Sequence, residues 1–149
     1  MGWNKKNDDG KITSYALDSP ASLIAKGSQG IASWSKALCI RCPFNYAIYD
    51  ARVALSLNCL QIVAAAEQPT IFPLLAGQNK QINAGSKVVR QYAIKHNWQP
   101  VAERFFYDKY NTILSAAAKT LNVKLYTLEM LLFATAPGLL QEAFPEGKF

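Results

Sequence analysis

The chain is poor in histidine and cysteine, and this shortage excludes several kinds of chemistry. It has one histidine and three cysteines in 149 residues. A zinc site would need cysteine ligands beside His96, and Cys39 and Cys42 in "CIRC" supply only half of one. His96 lies in a polar context, "KHNW", which offers no positioned base for a serine or cysteine hydrolase. We therefore expect no metal, no cofactor and buried thiols without a catalytic role.

Long apolar runs are also missing. No run approaches the roughly 18 apolar residues that a membrane-spanning helix needs. The first residues, "MGWNKKNDDGK", lack the apolar core of a secretory signal. These absences predict a cytoplasmic protein with reduced thiols and no membrane contact.

The overall composition is typical of a globular, helical protein. Half of the residues are hydrophobic and 17% are charged, and 149 residues fit a single domain spanning 1–149. Alanine and leucine are abundant and valine is scarce, which favours helices over sheet. The formal charge of +6 and the pI near 9.3 suit a polyanion such as DNA. A basic protein without any nucleic-acid role would have the same charge.

Turn and capping signals in the first third predict two helices joined by a short turn. Residues 1–18 are predicted to form an extended or mobile leader. Ser19 is a good N-cap with Pro20 in the first turn, so a short helix begins there. The turn "GSQG" (27–30) follows, and a helix from Ile31 to Ile40 ends at "CPFN" because proline cannot continue it.

The remainder predicts four more helices and one long loop. Apolar residues at helical spacing follow Asp50 as far as residue 66, which indicates a long buried helix. Residues 67–86 hold prolines, glycines and amides without periodicity and are predicted to form a long loop. Further helix starts are expected at Ser86, Pro100 and Thr127, with the last helix ending before Pro137. The predicted fold is all-α, with at most two short strands.

The segment "KGSQGIASWSKAL" has the pattern of a helix–hairpin–helix. Such a unit binds DNA by directing backbone N–H groups, at the start of its second helix, toward a phosphate. Gly30 suits this close approach because it lacks a side chain. Any helical hairpin can turn on glycine, so the pattern alone is compatible with an ordinary turn.

The order of motifs adds a family resemblance. The hairpin, its second helix, the connection "PFNYAI" and Asp50 at a helix start with Arg52 and Val53 after it resemble the helix–hairpin–helix DNA glycosylases. The closest likeness is to the archaeal-type 8-oxoguanine DNA glycosylase branch and its OGG-like bacterial relatives. The segment "YDKYNTILSAAAKTLNVKLYTLEMLLFATAPG" is similar to the closing helices of that branch. The resemblance covers most of residues 20–140 and implies an all-α helix–hairpin–helix fold.

The resemblance implies roles for individual residues. Asp50 matches the catalytic aspartate, which stabilises the sugar cation as the base leaves or assists the nucleophile. Gly30 matches the second hairpin glycine, and Ser28 stands where the first would be. Ala32 occupies the position of the lysine that forms a Schiff base in bifunctional members. Lys36 lies one helical turn further along the same face and is the candidate to replace it.

The expected partner is DNA. The DNA-binding candidates are the hairpin residues and the nearest cations: Lys26, Ser28, Gly30, Arg41 and Arg52. Family enzymes have several helices before the hairpin that help to hold the flipped base, whereas fewer than thirty residues precede the turn here. We therefore expect that half of the base pocket is missing or is supplied by a protein partner or a second copy.

Three interpretations follow from these patterns. The first is a DNA glycosylase that releases a damaged base with a water nucleophile, using Asp50, with weak or no lyase activity. The second is a non-catalytic, degenerate glycosylase core that binds DNA or protein. The third is a helical interaction protein. Asp50 itself has a structural alternative, because an aspartate that opens a helix also serves as its N-cap.

Overall fold

The computed structural model describes residues 8–147, which are mainly helical. Its helices are α1 (Asp8–Leu17), α2 (Pro20–Ile24), α3 (Ile31–Arg41), α4 (Ala51–Val63), α5 (Lys80–Lys95), α6 (Phe106–Leu121) and α7 (Leu125–Ala143). The strands β1 (Thr70–Ile71) and β2 (Gln99–Pro100) pair in parallel, with Thr70 opposite Gln99. The predictions of an all-α chain and of at most two short strands are confirmed for this range.

Local capping explains where the predicted helices begin. The hydroxyl of Ser19 accepts a hydrogen bond from the Ser22 backbone N–H, and Pro20 opens α2. Residues 25–30 form the predicted turn between α2 and α3, with Gly27 at φ 59° and Gly30 at φ 68°. These left-handed conformations favour glycine, which explains both positions.

Two segments predicted to be irregular are helical. The predicted leader 1–18 contains α1 from Asp8 onward, and its first seven residues lie outside the described range. Its end is held by tertiary contacts, since the Arg41 guanidinium donates to the carbonyls of Tyr15 and Asp18. The predicted loop 67–86 ends early, because Asn79 caps α5 by accepting from the Ile82 N–H at 3.1 Å.

Four of the predicted helix boundaries in the second half are wrong. Thr127 lies inside α7 and is not its cap, which is Lys124. Ser86 lies inside α5 and is not its cap. Pro100 lies in β2, and α6 begins only at Phe106. Pro137 lies inside α7, which starts at Leu125 and continues to Ala143. Packing of α7 against α4 and α5 explains why the helix continues through a proline that cannot donate to the ladder.

Helix α4 is the central element of the fold. Its residues from Val53 to Cys59 are all buried, and it packs most extensively against α7. The Ser56 hydroxyl donates to the Leu132 carbonyl at 2.5 Å, which ties the two helices together inside the core. A second cluster joins α4, α5 and α7 through Leu55, Cys59, Ile82, Val89, Ala136 and Leu140.

Gly85 sets the distance between α5 and α7. A β-carbon built on Gly85 would lie 2.5 Å from the Leu140 Cδ2 atom. A side chain at this position would have to displace the buried Leu140 side chain, which explains a glycine within a regular helix.

An aromatic cluster fills the other half of the core. The Trp34 and Tyr107 rings meet edge to face at 4.7 Å, and the Tyr49 ring does the same with Tyr110 at 5.1 Å and with Phe106 at 5.2 Å. These side chains come from α3, α6 and the connection before α4. The cluster therefore fixes that connection against both helices.

Amide side chains hold the loop that follows α4. The buried Asn58 accepts from the Phe72 N–H at 2.9 Å and donates to the Phe72 carbonyl at 3.1 Å. Gln61 makes the same pair of bonds with the backbone of Thr70. These side-chain amides make the hydrogen bonds that a neighbouring strand would otherwise make. They satisfy backbone N–H and carbonyl groups that would be unpaired without them.

Among residues 8–147, no helix by itself combines the length and apolar character needed to cross a membrane. Helices α6 and α7 meet that requirement only as a pair, and the bend between them is 106°.

Candidate functional site

The site is built around an extended connection that leads from α3 into α4. Three side chains of α6 hold its backbone. The side-chain Oδ1 atom of Asn111 accepts from the Ala47 N–H at 2.8 Å. The Tyr107 hydroxyl donates to the Ala47 backbone carbonyl at 2.9 Å. The Tyr110 hydroxyl donates to the Ile48 carbonyl at 2.8 Å. Because these groups are buried, the segment before Asp50 has one well-defined position.

Tyr49, the next residue, is anchored at both ends. Its backbone N–H donates to the Ser35 hydroxyl at 3.1 Å, and its phenol donates to the Pro73 carbonyl at 2.8 Å. Burial raises the pKa of Tyr49 well above its usual value, and it also raises the pKa values of Tyr107 and Tyr110. All three phenols therefore remain protonated donors at neutral pH.

Asp50 is the N-cap of α4 and uses one carboxylate oxygen for that purpose. Its Oδ1 atom accepts from the Arg52 N–H at 2.9 Å and the Val53 N–H at 3.0 Å. The Oδ2 atom accepts no hydrogen bond from any residue in the described range 8–147. Asp50 is half-buried. The predicted capping role is therefore confirmed, and it leaves one oxygen available for another partner.

Glu129 of α7 is a second carboxylate beside this position. Glu129 is only 7% exposed and lies on the face of α7 that packs against the core. Burial raises its pKa, the Asp50 carboxylate raises it further, and the Lys36 ammonium lowers it. Helices α3, α4 and α7 thus bring Lys36, Asp50 and Glu129 into one electrostatic cluster. The Tyr110 phenol faces the same two carboxylates, which also raise its pKa.

The sequence held a signal for Glu129 that the prediction missed. The buried positions of α7 are Leu125, Glu129, Leu132, Ala136 and Leu140, which are spaced by three or four residues. A carboxylate within an otherwise apolar stripe is rarely buried without a partner. The position could therefore have been identified as a candidate site from the helical period alone.

We expect Glu129→Gln to change how stability depends on pH. The folded state raises the pKa of this carboxyl, so it holds the proton to higher pH than the unfolded chain does. The contribution to stability is complete at low pH and is lost as pH rises through the folded pKa. Glutamine removes this loss, so the variant should be more stable than the parent at pH 8, and the difference should shrink toward pH 4. Urea unfolding between pH 4 and pH 8 measures the difference.

The control for this prediction is Glu142→Gln, which changes an exposed carboxylate near the end of the same helix. Its pH dependence should follow that of the parent. A Glu129→Gln protein that is less stable than the parent at pH 8 would contradict the prediction, because the carboxylate would then be required for folding.

The turn between α2 and α3 lies where it was predicted, but a carboxylate occupies its backbone N–H. The Ser28 N–H donates to the Glu103 Oε1 atom at 2.5 Å. A β-carbon on Gly27 would lie 2.8 Å from the same oxygen, so glycine is needed for this approach. Gly30 is the N-cap residue of α3, and a β-carbon there would lie 3.0 Å from the Tyr15 hydroxyl. A phosphate at the Ser28 N–H would have to displace Glu103.

The predicted cationic residues fall into separate groups. Lys26 and Arg41 both contact Asp18: the Lys26 Nζ atom lies 4.0 Å from its carboxylate, and the Arg41 guanidinium donates to its carbonyl at 2.7 Å. Arg52 lies beside Asp50 in sequence, and its guanidinium is 5.0 Å from the centre of the Phe133 ring. Among the predicted residues, Arg52 contacts Asp50 through its backbone N–H, and Lys36 and Asp50 both act on the pKa of Glu129.

Two of the thiols are disfavoured as thiolates, and the histidine lies on the surface. Burial raises the pKa of Cys59 to about 12 and also raises that of Cys39, so neither favours the thiolate. His96 is exposed and stacks on Tyr92 with 4.1 Å between ring centres. Within residues 8–147, no three His, Cys, Asp or Glu side chains are grouped closely enough to hold a metal ion.

No protein-family model, curated protein or solved structure matches this chain.

Proposed function

We propose that this protein is a cytoplasmic DNA-binding protein with a helix–hairpin–helix glycosylase core, and that it removes damaged bases from DNA. One observation carries the proposal: Asp50 opens a buried helix with Oδ1 in the cap and Oδ2 without a hydrogen bond from residues 8–147. A carboxylate held in this way is suited to stabilising positive charge that develops on a sugar. The order of motifs around Asp50 supports the same function.

In this mechanism Asp50 acts on the sugar and water is the nucleophile. As the bond between C1′ and the base breaks, positive charge forms on the sugar ring, and the Asp50 carboxylate stabilises it. The base leaves with the electron pair of the broken bond, and a water molecule adds to C1′. The proton that this water loses ends on the departed base, so the products are an abasic sugar and the neutral free base. In the family that the chain resembles, the lysine that forms a Schiff base stands at the position of Ala32. Because alanine cannot form this bond, we propose little lyase activity. Lys36 lies close enough to Glu129 to lower the pKa of that carboxyl.

The decisive experiment is base release from a panel of duplexes, each with one damaged base. We expect release from at least one lesion, with strand breaks that appear only after alkaline treatment. Salt-dependent binding without release from any lesion would favour the non-catalytic DNA-binding module. Binding that does not weaken between low and moderate salt would remove DNA from the proposal, because phosphate contacts release counterions.

We expect Glu103→Gln to strengthen duplex binding several-fold. The Glu103 carboxylate accepts the Ser28 N–H that a phosphate would use, and its charge repels that phosphate. Glutamine can still accept the same hydrogen bond, so the turn should keep its shape. Fluorescence anisotropy at several salt concentrations measures the change.

Glu142→Gln is the matched control, since it removes one exposed negative charge on α7. Equal strengthening in both variants would assign the effect to net charge. Unchanged affinity in Glu103→Gln would mean that the hairpin does not contact DNA. Gly30→Asp is a poorer test, because φ 68° and the Tyr15 hydroxyl make any side chain unfavourable there.

A second candidate function is binding of a protein partner or of a second copy. Exposed apolar side chains on α7 favour it: Tyr126, Met130 and Phe133 are spaced by three or four residues and are 43%, 63% and 42% exposed. Phe133 lies beside Arg52, so a partner on this surface would be next to Asp50. Light scattering across a concentration series tests self-association, and a constant monomer mass would exclude a second copy.

A further inference from the structure

Glu129 is a buried carboxylate that forms no structural bond in the fold. It is 7% exposed, and it makes no hydrogen bond or salt bridge with any residue in the range 8–147. A carboxylate buried in this way costs stability when it is charged, because burial removes it from water. Side chains that cost stability without bonding to the rest of the fold are typical of functional sites.

The oxygens of this carboxylate are still accessible from outside. Among residues 8–147, the Ser86 hydroxyl is the one buried polar side-chain atom that lacks both a hydrogen-bond partner and accessible surface. The Glu129 oxygens also lack a partner, so each of them keeps some accessible surface. A substrate can therefore reach Glu129 without any rearrangement of the core.

Glu129 lies beside the start of α4, where Asp50 is the cap. The Arg52 guanidinium, from the first turn of α4, lies 5.0 Å from the centre of the Phe133 ring. Phe133 follows Glu129 by four residues, so the two are neighbours on one face of α7. This contact places the Glu129 turn of α7 against the first turn of α4, close to the Asp50 oxygen that the cap does not use.

The titratable groups that face Glu129 come from three other parts of the chain: Lys36 and Cys39 of α3, Asp50 before α4, and Tyr110 of α6. The Tyr110 phenol already donates to the Ile48 carbonyl at 2.8 Å. Burial raises the pKa of the Cys39 thiol, and Glu129 raises it further. Burial and then Asp50 raise the pKa of Glu129, whereas Lys36 lowers it. Glu129 therefore keeps its proton to higher pH than an ordinary glutamate, as a proton donor at an active site requires.

We propose that Glu129 is the general acid of the base excision and protonates the departing base while Asp50 stabilises the sugar. The inference rests on the proposed function and adds the group that delivers the proton. As the bond from C1′ to the base breaks, its electron pair stays with the base, and the Glu129 carboxyl gives its proton to the base. The water that adds to C1′ then loses a proton, which returns to the Glu129 carboxylate. The products are the neutral base and an abasic sugar, and Glu129 ends as it began.

Single-turnover rates of base release, measured from pH 5 to pH 9 on the best substrate with an uncharged lesion base, test this role. The rate of the parent should fall as pH rises through the pKa of Glu129, because the donor is lost. Glu129→Gln should release the base about a hundredfold more slowly at pH 5 and should lose this pH dependence. Glu142→Gln, which changes an exposed carboxylate on the same helix, should follow the parent at every pH.

A second variant moves the pH dependence without touching the donor. Lys36 lowers the pKa of Glu129, so Lys36→Gln should shift the fall in rate to higher pH. A structural role for Glu129 would not produce this shift. Fluorescence anisotropy should show that Glu129→Gln binds the same duplex within about twofold of the parent, because the loss lies in the chemical step.

The outcomes separate this role from the function on which it rests. No base release by the parent from any lesion would overturn both. Base release by the parent, with the parental rate and pH dependence retained in Glu129→Gln, would overturn the role of Glu129 alone. A slower Glu129→Gln that keeps the pH dependence of the parent would also overturn it, because Glu129 would then position other groups and donate no proton.

Discussion

Asp50→Asn should lower base release by about a thousandfold while leaving duplex binding intact or tighter. Asparagine caps a helix about as well as aspartate, so the Arg52 and Val53 N–H groups keep their acceptor. The lost charge stabilises the transition state only, so the deficit should appear in turnover rather than affinity. Single-turnover kinetics on the best lesion substrate, with anisotropy on the same duplex, measure both quantities.

The same variant answers whether Asp50 is more than a cap. Its free energy of unfolding should lie within about 1 kcal/mol of the parent value. Asp50→Ala is a weaker test because it removes both cap and charge. Full activity in Asp50→Asn would assign the residue to helix capping alone and would end the catalytic proposal.

Asn58→Ala should be the most destabilising of the substitutions considered, at about 3 kcal/mol. The variant leaves the Phe72 N–H and carbonyl without their partner in a buried position. Each of these two backbone groups would then be buried without a hydrogen bond. The free energy of removing it from water would no longer be offset, and the folded state would be destabilised. The midpoint of thermal unfolding should fall by roughly 10 °C.

Asn83→Ala is the matched control for Asn58. Asn83 makes the same pair of bonds, to the N–H and carbonyl of Gly77, but on exposed backbone that water can satisfy. Its cost should stay below about 1 kcal/mol. Similar losses of unfolding free energy in the two variants would show that burial does not determine how much these amide hydrogen bonds stabilise the fold.

Local signals predicted the segment from Ser19 to Asp50 well. Ser19 with Pro20, the two hairpin glycines and Asp50 each act on backbone groups within three residues, and the elements that they begin or end were placed correctly. The all-α class followed from composition and helical periodicity. These features depend on nearby residues, which a sequence displays directly.

The failed predictions involve contacts between distant segments. Gly85 was assigned to a loop because residues 67–86 lack a steady helical period, but it lies in α5, where its missing side chain admits Leu140. Pro137 was expected to end α7, which continues because α4 and α5 support it. Arg41 holds the end of α1 from another helix. Tertiary packing outweighed local propensity at each position.

The candidate site was predicted in part. Asp50, Lys36 and Arg52 were identified from spacing and resemblance. The structure places the Arg52 N–H on the Asp50 carboxylate, and Lys36 and Asp50 both influence the pKa of Glu129. Glu129 approaches from α7, far away in sequence, and was missed. Glu103 reaches the hairpin across 75 residues, which no local pattern could indicate.

The buried connection before Asp50 has a consequence for the order of folding. Its bonds to Tyr107, Tyr110 and Asn111 join residues 60 to 64 positions apart, so each closes a long loop. Closing such loops is entropically slow, and contacts of this length form late. The helix that Asp50 caps can nucleate early, whereas the position of Asp50 in the folded protein is fixed only when α6 has docked. Maturation of the site therefore coincides with completion of the core.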